Sequence, residues 1–323
     1  MTRKIDISHK TVIFIAIFLL ALWITYLIRD LIIILFVSVI LMSAIAPLVS
    51  FLMRLKIPKP LGILVSYIII IGVLSGVFAS FLPPLLEQSN RLISILPPLI
   101  VDQFNLTDVD HSLIQSQITE VSKNILSVTV DIFNIIVTAI FLLVITFYLL
   151  LDKENLESRA AKLFVGSENR IKGLIQRIEY KLGAWVRGQL TLSLIIGVLS
   201  YIGLTLLNIP YALPLALLAA VMEVVPVIGP IIAAIPAIAL AITISPVVTA
   251  GVAALYFVIQ QLENHLIVPQ VMKRAVGLNP LVVILAVAVG SRLLGIAGAL
   301  LAVPIAVVLQ IVIGDILQEK NNA

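Results

Sequence analysis

The sequence predicts an all-α, polytopic membrane protein. Of its 323 residues, 61% are hydrophobic and only 12% are charged, and the mean hydropathy is +1.19. A soluble domain usually carries about 25% charged residues. The apolar runs suit transmembrane helices of about 20 residues rather than the ~10-residue alternating strands of a membrane β-barrel. We therefore predict about eight membrane segments, with amphipathic helices at the membrane interface.

Polar interruptions divide the chain into five parts. We predict three spans in residues 1–82 (11–28, 31–51 and 61–82), an extracytoplasmic amphipathic segment (83–126), a fourth span (127–151), a cytoplasmic basic amphipathic helical segment (152–188) and a C-terminal membrane region with a transport site (189–323). Arg29 and Asp30 are read as the break between the first two spans. The proline pairs at 83–84 and 97–98 are read as turns.

Charge bias orients these spans. Residues 87–123 hold five acidic and two basic side chains, whereas residues 152–187 hold eight basic and five acidic ones. Basic loops stay in the cytoplasm, so the N-terminus is predicted to be cytoplasmic, with four spans before Asp152. The apolar face of 152–187 could lie in the membrane interface or pack on a partner helix; both remain open.

Two later apolar stretches are broken. Residues 212–245 split at Gly229-Pro230 into pieces short of the ~30 Å hydrocarbon core. Residues 281–313 are interrupted between Gly290 and Gly298 and again at Pro304. We favour two re-entrant hairpins, which place the C-terminus in the cytoplasm; kinked spans are the alternative and would place Lys273 and Arg274 outside. Paired, interrupted segments are typical of transporter binding sites.

Two carboxylates lie within this region. Glu223 precedes Pro226, Gly229 and Pro230, and Glu263 lies near the end of the apolar run 247–268. A charge in hydrocarbon is costly unless it is neutral, paired or hydrated. We predict that both side chains contribute to a site for an ion or a polar solute. The alternatives are a carboxylate that caps a broken helix, for Glu223, and a polar interfacial cap, for Glu263.

Other polar residues complete the predicted site. Helical spacing places Gln260, Glu263 and Asn264 on one face, and Gln261 and His265 on another. Arg292 is predicted either as a counter-ion to the glutamates or as an arginine that reaches toward lipid head groups.

Gly188 and Gln189 open the fifth span. There they would permit close helix contact and a hydrogen bond between helices, or simply mark a helix start.

Motifs of the common enzyme classes do not occur. The chain has no H-E-x-x-H, no G-x-S-x-G and no phosphate-binding loop, and it contains no cysteine. We therefore predict no enzymatic activity, no cofactor, no metal site and no nucleic-acid partner.

Several motifs occur in a familiar order. They are Trp185-Val-Arg-Gly-Gln189, Asn208-Ile-Pro-Tyr211, Glu223-Val-Val-Pro-Val-Ile-Gly-Pro230, Gln260-Gln-Leu-Glu-Asn264, Pro269-Gln-Val-Met, Gly277-Leu-Asn-Pro280 and Gly295-Ile-Ala-Gly-Ala-Leu-Leu-Ala-Val-Pro304. Together they resemble the AI-2E family of bacterial membrane transporters, also described as PerM-type permeases.

The resemblance implies a multi-pass protein of the prokaryotic inner membrane, in contact with lipids, and a homo-oligomer for which a pentamer is expected. It also implies export of a small polar solute such as autoinducer-2, a quorum-sensing signal, with proton coupling as an option. Two alternatives stand beside it: exchange of Na⁺ or Li⁺ for protons, and a scaffold or passive pore that transports nothing actively. The apolar neighbours of Glu223 favour the organic solute.

Overall fold

The computed structural model describes residues 9–104, 125–164, 166–225, 228–275 and 277–322, and these residues form helices and short connections without a strand. The helices are α1 (His9–Leu27), α2 (Arg29–Arg54), α3 (Lys59–Phe104), α4 (Ile125–Leu151), α5 (Lys153–Lys162), α6 (Glu168–Leu206), α7 (Ala212–Met222), α8 (Ile228–Ile242), α9 (Pro246–Leu262), a π-helix (Glu263–Ile267), α10 (Val268–Ala275) and α11 (Pro280–Asn322).

The predicted fold class is confirmed: the chain is a polytopic helical membrane protein. Among the described residues, five helices are long and apolar enough to cross a membrane, and a sixth candidate consists of α4 and α5 joined at a 76° bend. Apolar side chains cover much of the outer surface, including most of α1. Such exposure is expected of helices that face lipid rather than water.

The N-terminal half differs from the prediction in two places. Backbone hydrogen bonds continue through the region of Arg29 and Asp30: the N–H of Ile28 donates to the carbonyl of Ile24, and the N–H of Ile32 donates to the carbonyl of Ile28. Helix α1 makes few contacts with α2. The two helices are separated only at Ile28, one residue before the predicted break at Arg29 and Asp30, and the chain does not reverse its direction there. The prediction that helix 61–82 stops at the proline pair was also wrong, because α3 continues to Phe104 through all four prolines. A proline removes one hydrogen bond and bends a helix, but it need not end it.

Of the predicted extracytoplasmic amphipathic segment (83–126), residues 105–124 lie outside the described residues. The segment from Asp152 is formed by α5 and the first part of α6. The boundary expected at residue 188 falls inside α6, a single helix of 39 residues. At about 1.5 Å per residue, α6 is nearly 60 Å long.

The apolar face of α6 packs on partner helices. Leu182 and Trp185 form a buried cluster with Ile40 of α2 and with Leu301 and Val307 of α11. Of the two options for the basic segment, the structure therefore supports packing against other helices.

Ion pairs fasten the same part of α6 to the end of α11. Asp315 is 8% exposed and pairs with Arg170 at 2.7 Å and with Arg177 at 2.8 Å. Arg170 also donates a hydrogen bond of 3.2 Å to the Asp315 carbonyl. A cleft of about 590 Å³ opens beside this contact, lined in part by Tyr180, Lys181 and Gly314. A nearly buried carboxylate with two guanidinium partners holds the helices in register.

We predict that Asp315→Asn destabilises the protein. The substitution removes the charge that both arginines contact, and the expected loss is about 1–2 kcal/mol because the arginines remain partly hydrated. The midpoint of thermal unfolding in detergent should fall. Asp30→Asn is the matched control: its carboxylate is 82% exposed and lies 3.7 Å from Arg29, so the midpoint should not change. Equal midpoints for Asp315→Asn and the unmodified protein would contradict this role.

Candidate functional site

The first broken stretch folds into a pair of short antiparallel helices. Ala212 and Leu215 of α7 share a buried cluster with Ala237 and Ala241 of α8, and Ala219 lies in another cluster with Ala233. With 11 and 15 residues, these helices are about 16 and 22 Å long, shorter than the ~30 Å hydrocarbon core.

The break occurs earlier than Gly229-Pro230, where it was predicted. Helix α7 ends at Met222, with Glu223 as its C-cap, and α8 begins at Ile228, so that Gly229 and Pro230 lie in its first turn. A proline is tolerated there because the first N–H groups of a helix have no intrahelical partner. Gly229 and Pro230 are both buried, and a Cβ on Gly229 would overlap the Met222 carbonyl. Pro226 lies outside the described residues.

The second broken stretch also folds back on itself. Leu294 and Gly295 leave helical geometry inside α11, and Gly295 has φ +60° and ψ −138°. The two arms cross so closely that a Cβ on Gly290 or Gly298 would overlap the carbonyl of the other. Pro304 does not interrupt the second arm, contrary to the prediction, because the helix continues through it to Asn322.

The two hairpins meet. Val225, within the break after α7, packs against Val287 of the first arm of α11 and against Ala299 and Ala302 of the second arm. The break that carries Glu223 is therefore held against the crossing point of the second hairpin. This contact brings the two interrupted segments of the sequence into one region of the molecule.

Both glutamates are buried. Glu223 is 1% exposed and Glu263 is 4% exposed. The helix ends that carry them lie together, because Met222, beside Glu223, packs in one apolar cluster with Ile259 and Ile267 on either side of Glu263. Oxygen Oε2 of Glu223 has no hydrogen-bond partner among the described residues, and Glu263 accepts only a long bond of 3.3 Å from the Gln260 amide. Buried polar groups are normally paired, so this arrangement leaves acceptor capacity for a ligand or a proton.

The amide of Gln189 supports the broken helix. Its Nε2 donates a 2.6 Å hydrogen bond to the main-chain carbonyl of Glu223, one of the carbonyls that the end of α7 leaves without a helical partner. Gln189 is 5% exposed, and Gly188 beside it is buried as well. The sequence predicts a hydrogen bond between helices at Gln189, and in the structure this side chain bonds to the end of α7.

A π-helix turn begins at Glu263. Residues Glu263–Ile267 form this wider turn, and the N–H of Val268 donates to the Glu263 carbonyl. Pro269 has no N–H for the carbonyl four residues earlier, so a wider turn before it relieves the mismatch. Sequence reasoning missed this turn, although Pro269 was a possible signal for it.

The remaining predicted site residues lie at the surface of the chain. Gln261, Asn264 and His265 are exposed, and His265 Nδ1 lies 3.0 Å from the Gln261 carbonyl. Arg292 is exposed near the tip of the second hairpin and forms no ion pair with either glutamate among the described residues. The buried part of the site therefore consists of Glu223, Glu263 and the groups that contact them.

Comparison with known proteins identifies the family. The chain matches the family described as "AI-2E family transporter" over residues 12–318. It belongs to the AI-2E transporter family. Similar proteins include the "Putative transport protein YrrI" of Bacillus subtilis, 28% identical, with 89% of this chain and 87% of the relative covered. The "Putative transport protein YueF" of the same organism is 29% identical, with 79% and 76% covered.

A third relative is the "Putative permease PerM" of Escherichia coli K12, 27% identical, with 74% of this chain and 71% of the relative covered. These names describe transport proteins and a permease rather than enzymes. This AI-2E protein is thus a multi-pass membrane protein of a transporter family, with two broken helical hairpins that meet and two buried acids.

We predict that Gly298→Ala disrupts the second hairpin. The added methyl group would overlap the backbone of Gly290, which cannot move aside as a flexible side chain would. The midpoint of thermal unfolding in detergent should fall by several degrees, consistent with a loss of about 2–3 kcal/mol from overpacking. Gly314→Ala on the same arm has open space around it and should leave the midpoint unchanged or raise it. Equal effects of the two substitutions would refute the close crossing.

Replacing Gln189 tests the support of the broken helix. In Gln189→Leu the Glu223 carbonyl loses its donor while the packing volume is nearly kept. An unpaired buried acceptor costs about 1–3 kcal/mol, so thermal stability in detergent should decrease. Gln176→Leu, which removes a 2.9 Å bond to Glu157 in the basic segment, serves as a comparison. Stability losses should occur in both variants, but only Gln189→Leu should also reduce transport; normal transport by Gln189→Leu would contradict a role at the site.

Proposed function

We propose that this AI-2E protein is a secondary transporter that moves a small polar organic solute out of the cell, with autoinducer-2 as a representative substrate. The observation that carries the proposal is the buried Glu223 carboxylate, whose Oε2 has no hydrogen-bond partner in the described part of the chain and lies at a helix break packed against a second broken helix. Interrupted helices at paired hairpins are a recurrent way to build a transport site.

The chemistry of the site suits a hydroxyl-rich solute. A carboxylate accepts hydrogen bonds from hydroxyl groups, and the main-chain carbonyls at the end of α7 can do the same. Apolar side chains, including Met222, Ala219 and Ile259, pack together beside the helix break. Hydrogen bonds made in such surroundings are stronger than in water.

Exchange of a monovalent cation for protons is the second candidate. It is favoured by one observation, the burial of two carboxyl groups, Glu223 and Glu263, since acids removed from water tend to hold a cation or a proton. A passive pore or scaffold is the third candidate and gives the two acids no part in flux.

We further propose that the protein lies in the prokaryotic inner membrane with both termini in the cytoplasm, and that it forms homo-oligomers, with a pentamer as the expected assembly. The orientation follows the excess of basic residues in 152–187. In this arrangement the paired short helices are re-entrant.

Neutralising the acids tests the transport proposal. Glu223→Gln keeps the size of the side chain but removes a charged acceptor worth about 1.5–3 kcal/mol, so flux into proteoliposomes should fall roughly tenfold or more. A labelled polyol and Na⁺/H⁺ exchange should be measured side by side on the same preparations. Reduced polyol flux supports the solute transporter, and reduced cation exchange alone supports the antiporter.

Glu154→Gln is the control, because Glu154 is exposed on α5 and should not affect either flux. The assembly of each variant is checked by gel filtration. Flux equal to that of the unmodified protein in Glu223→Gln and in Glu263→Gln would refute the assignment and leave the passive pore or scaffold.

A further inference from the structure

Two serines on α6 lack the hydrogen bond that most of the described helix hydroxyls make. Most of the described serine and threonine hydroxyls in helices donate to the carbonyl four residues earlier; these are Thr25, Ser38, Ser43, Ser50, Ser66, Ser80, Ser158, Thr191 and Thr249. Ser193 and Ser200 do not. They are 8% and 0% exposed, and neither hydroxyl has a partner among the described residues.

Two more unpaired polar atoms lie in the same part of the fold. They are Oε2 of Glu223 and the hydroxyl of Tyr256 on α9. The fifth such atom among the described residues, the hydroxyl of Thr146, belongs to α4. Four of the five orphaned groups therefore come from α6, α9 and the break after α7, which pack against one another.

The spacing of buried residues along α6, and their contacts with α9 and with the break after α7, show the order in which the four unpaired groups lie. Gln189, Ser193, Ile196, Ser200 and Leu204 follow each other at intervals of three or four residues, and all five are buried on one face of α6. Gln189 contacts Glu223, Ile196 shares a cluster with Ile259, and Leu204 shares one with Tyr256.

Helices α6 and α9 are thus antiparallel along this face. Ser193 lies near the level of the two glutamates, and Ser200 lies near the level of Tyr256. The four unpaired groups thus form a row, which we call the file. At its end beyond Ser200, the fully buried apolar side chains of Leu204 and Val252 pack in one cluster.

We propose that this file is a water-accessible path, lined by Ser193, Ser200 and Tyr256, that leads from the glutamate pair to an apolar gate formed by Leu204 and Val252. Hydroxyls that are turned away from their own helix and left unpaired are the groups that bridging water or a hydroxylated solute would contact. This inference extends the proposed function and rests on it, because the path would connect the two glutamates with the C-terminal end of α6.

Cysteine accessibility tests the path directly. The chain contains no cysteine, so each introduced thiol is the only one present. Ser193→Cys and Ser200→Cys are compared with Ser66→Cys, a serine that is as fully buried as Ser200 but whose hydroxyl donates to the Gly62 carbonyl within α3. Proteoliposomes are treated with a small, charged, membrane-impermeant methanethiosulfonate, and the modified fraction is measured over time by intact-protein mass.

Both α6 cysteines should react at least about tenfold faster than Ser66→Cys, since a thiol becomes a reactive thiolate only where water reaches it. Adding Leu204→Ala should accelerate modification of Ser200→Cys further, by opening the gate, and should leave Ser66→Cys unchanged. If Leu204→Ala loosens the whole fold and accelerates all sites alike, the same comparison is made with Val252→Ala.

Rates no faster than that of Ser66→Cys would overturn the path. Reaction at Ser200→Cys without reaction at Ser193→Cys would overturn its extension to the glutamates. The measurement reports water access and not flux, so failure of the path and failure of the transport proposal are distinguishable: an accessible path in a protein that moves neither test solute would refute transport alone.

Discussion

The structure depends on how two buried carboxyl groups are accommodated inside an apolar helical assembly. A carboxylate removed from water is costly unless hydrogen bonds, a proton or a bound ligand compensate for it. Among the described residues this compensation is incomplete: Glu263 accepts one long bond from Gln260, and one oxygen of Glu223 accepts none. The helices around the two glutamates otherwise pack closely. A purely structural role for Glu223 and Glu263 would therefore not explain why their carboxylates have acceptor capacity that no hydrogen bond uses in the part of the chain that the structure describes.

The arrangement around these acids explains why the helices are broken where they are. Helix α7 ends at Met222, the carbonyl of its C-cap Glu223 accepts a hydrogen bond from Gln189 of α6, and Val225, two residues further on, packs between the arms of α11. A continuous helix would satisfy its own carbonyls and would hold the first hairpin away from the second. The long helix α6 joins this site to the basic segment, where Asp315 and two arginines fix its position against α11.

Much of this could be predicted from the sequence, because composition and interrupted apolar runs report directly on membrane helices and their breaks. The exact positions could not. Proline predicts a missing hydrogen bond but not whether neighbours compensate for it, so α3 continues past Pro83, while the first hairpin breaks before Gly229. Contacts between residues distant in the chain could not be predicted from the sequence either. Neither the pairing of Arg177 with Asp315 nor the unpaired state of the Ser193 hydroxyl follows from periodicity.

The central claim is that the buried glutamates hold a transported ligand. Calorimetric titration of the purified protein in detergent, first with a small polyol and then with Na⁺, tests it most directly when the unmodified protein is compared with the double variant Glu223→Gln, Glu263→Gln. We predict saturable binding of one of these ligands by the unmodified protein and none by the folded double variant. Binding of equal affinity by both proteins would contradict the account.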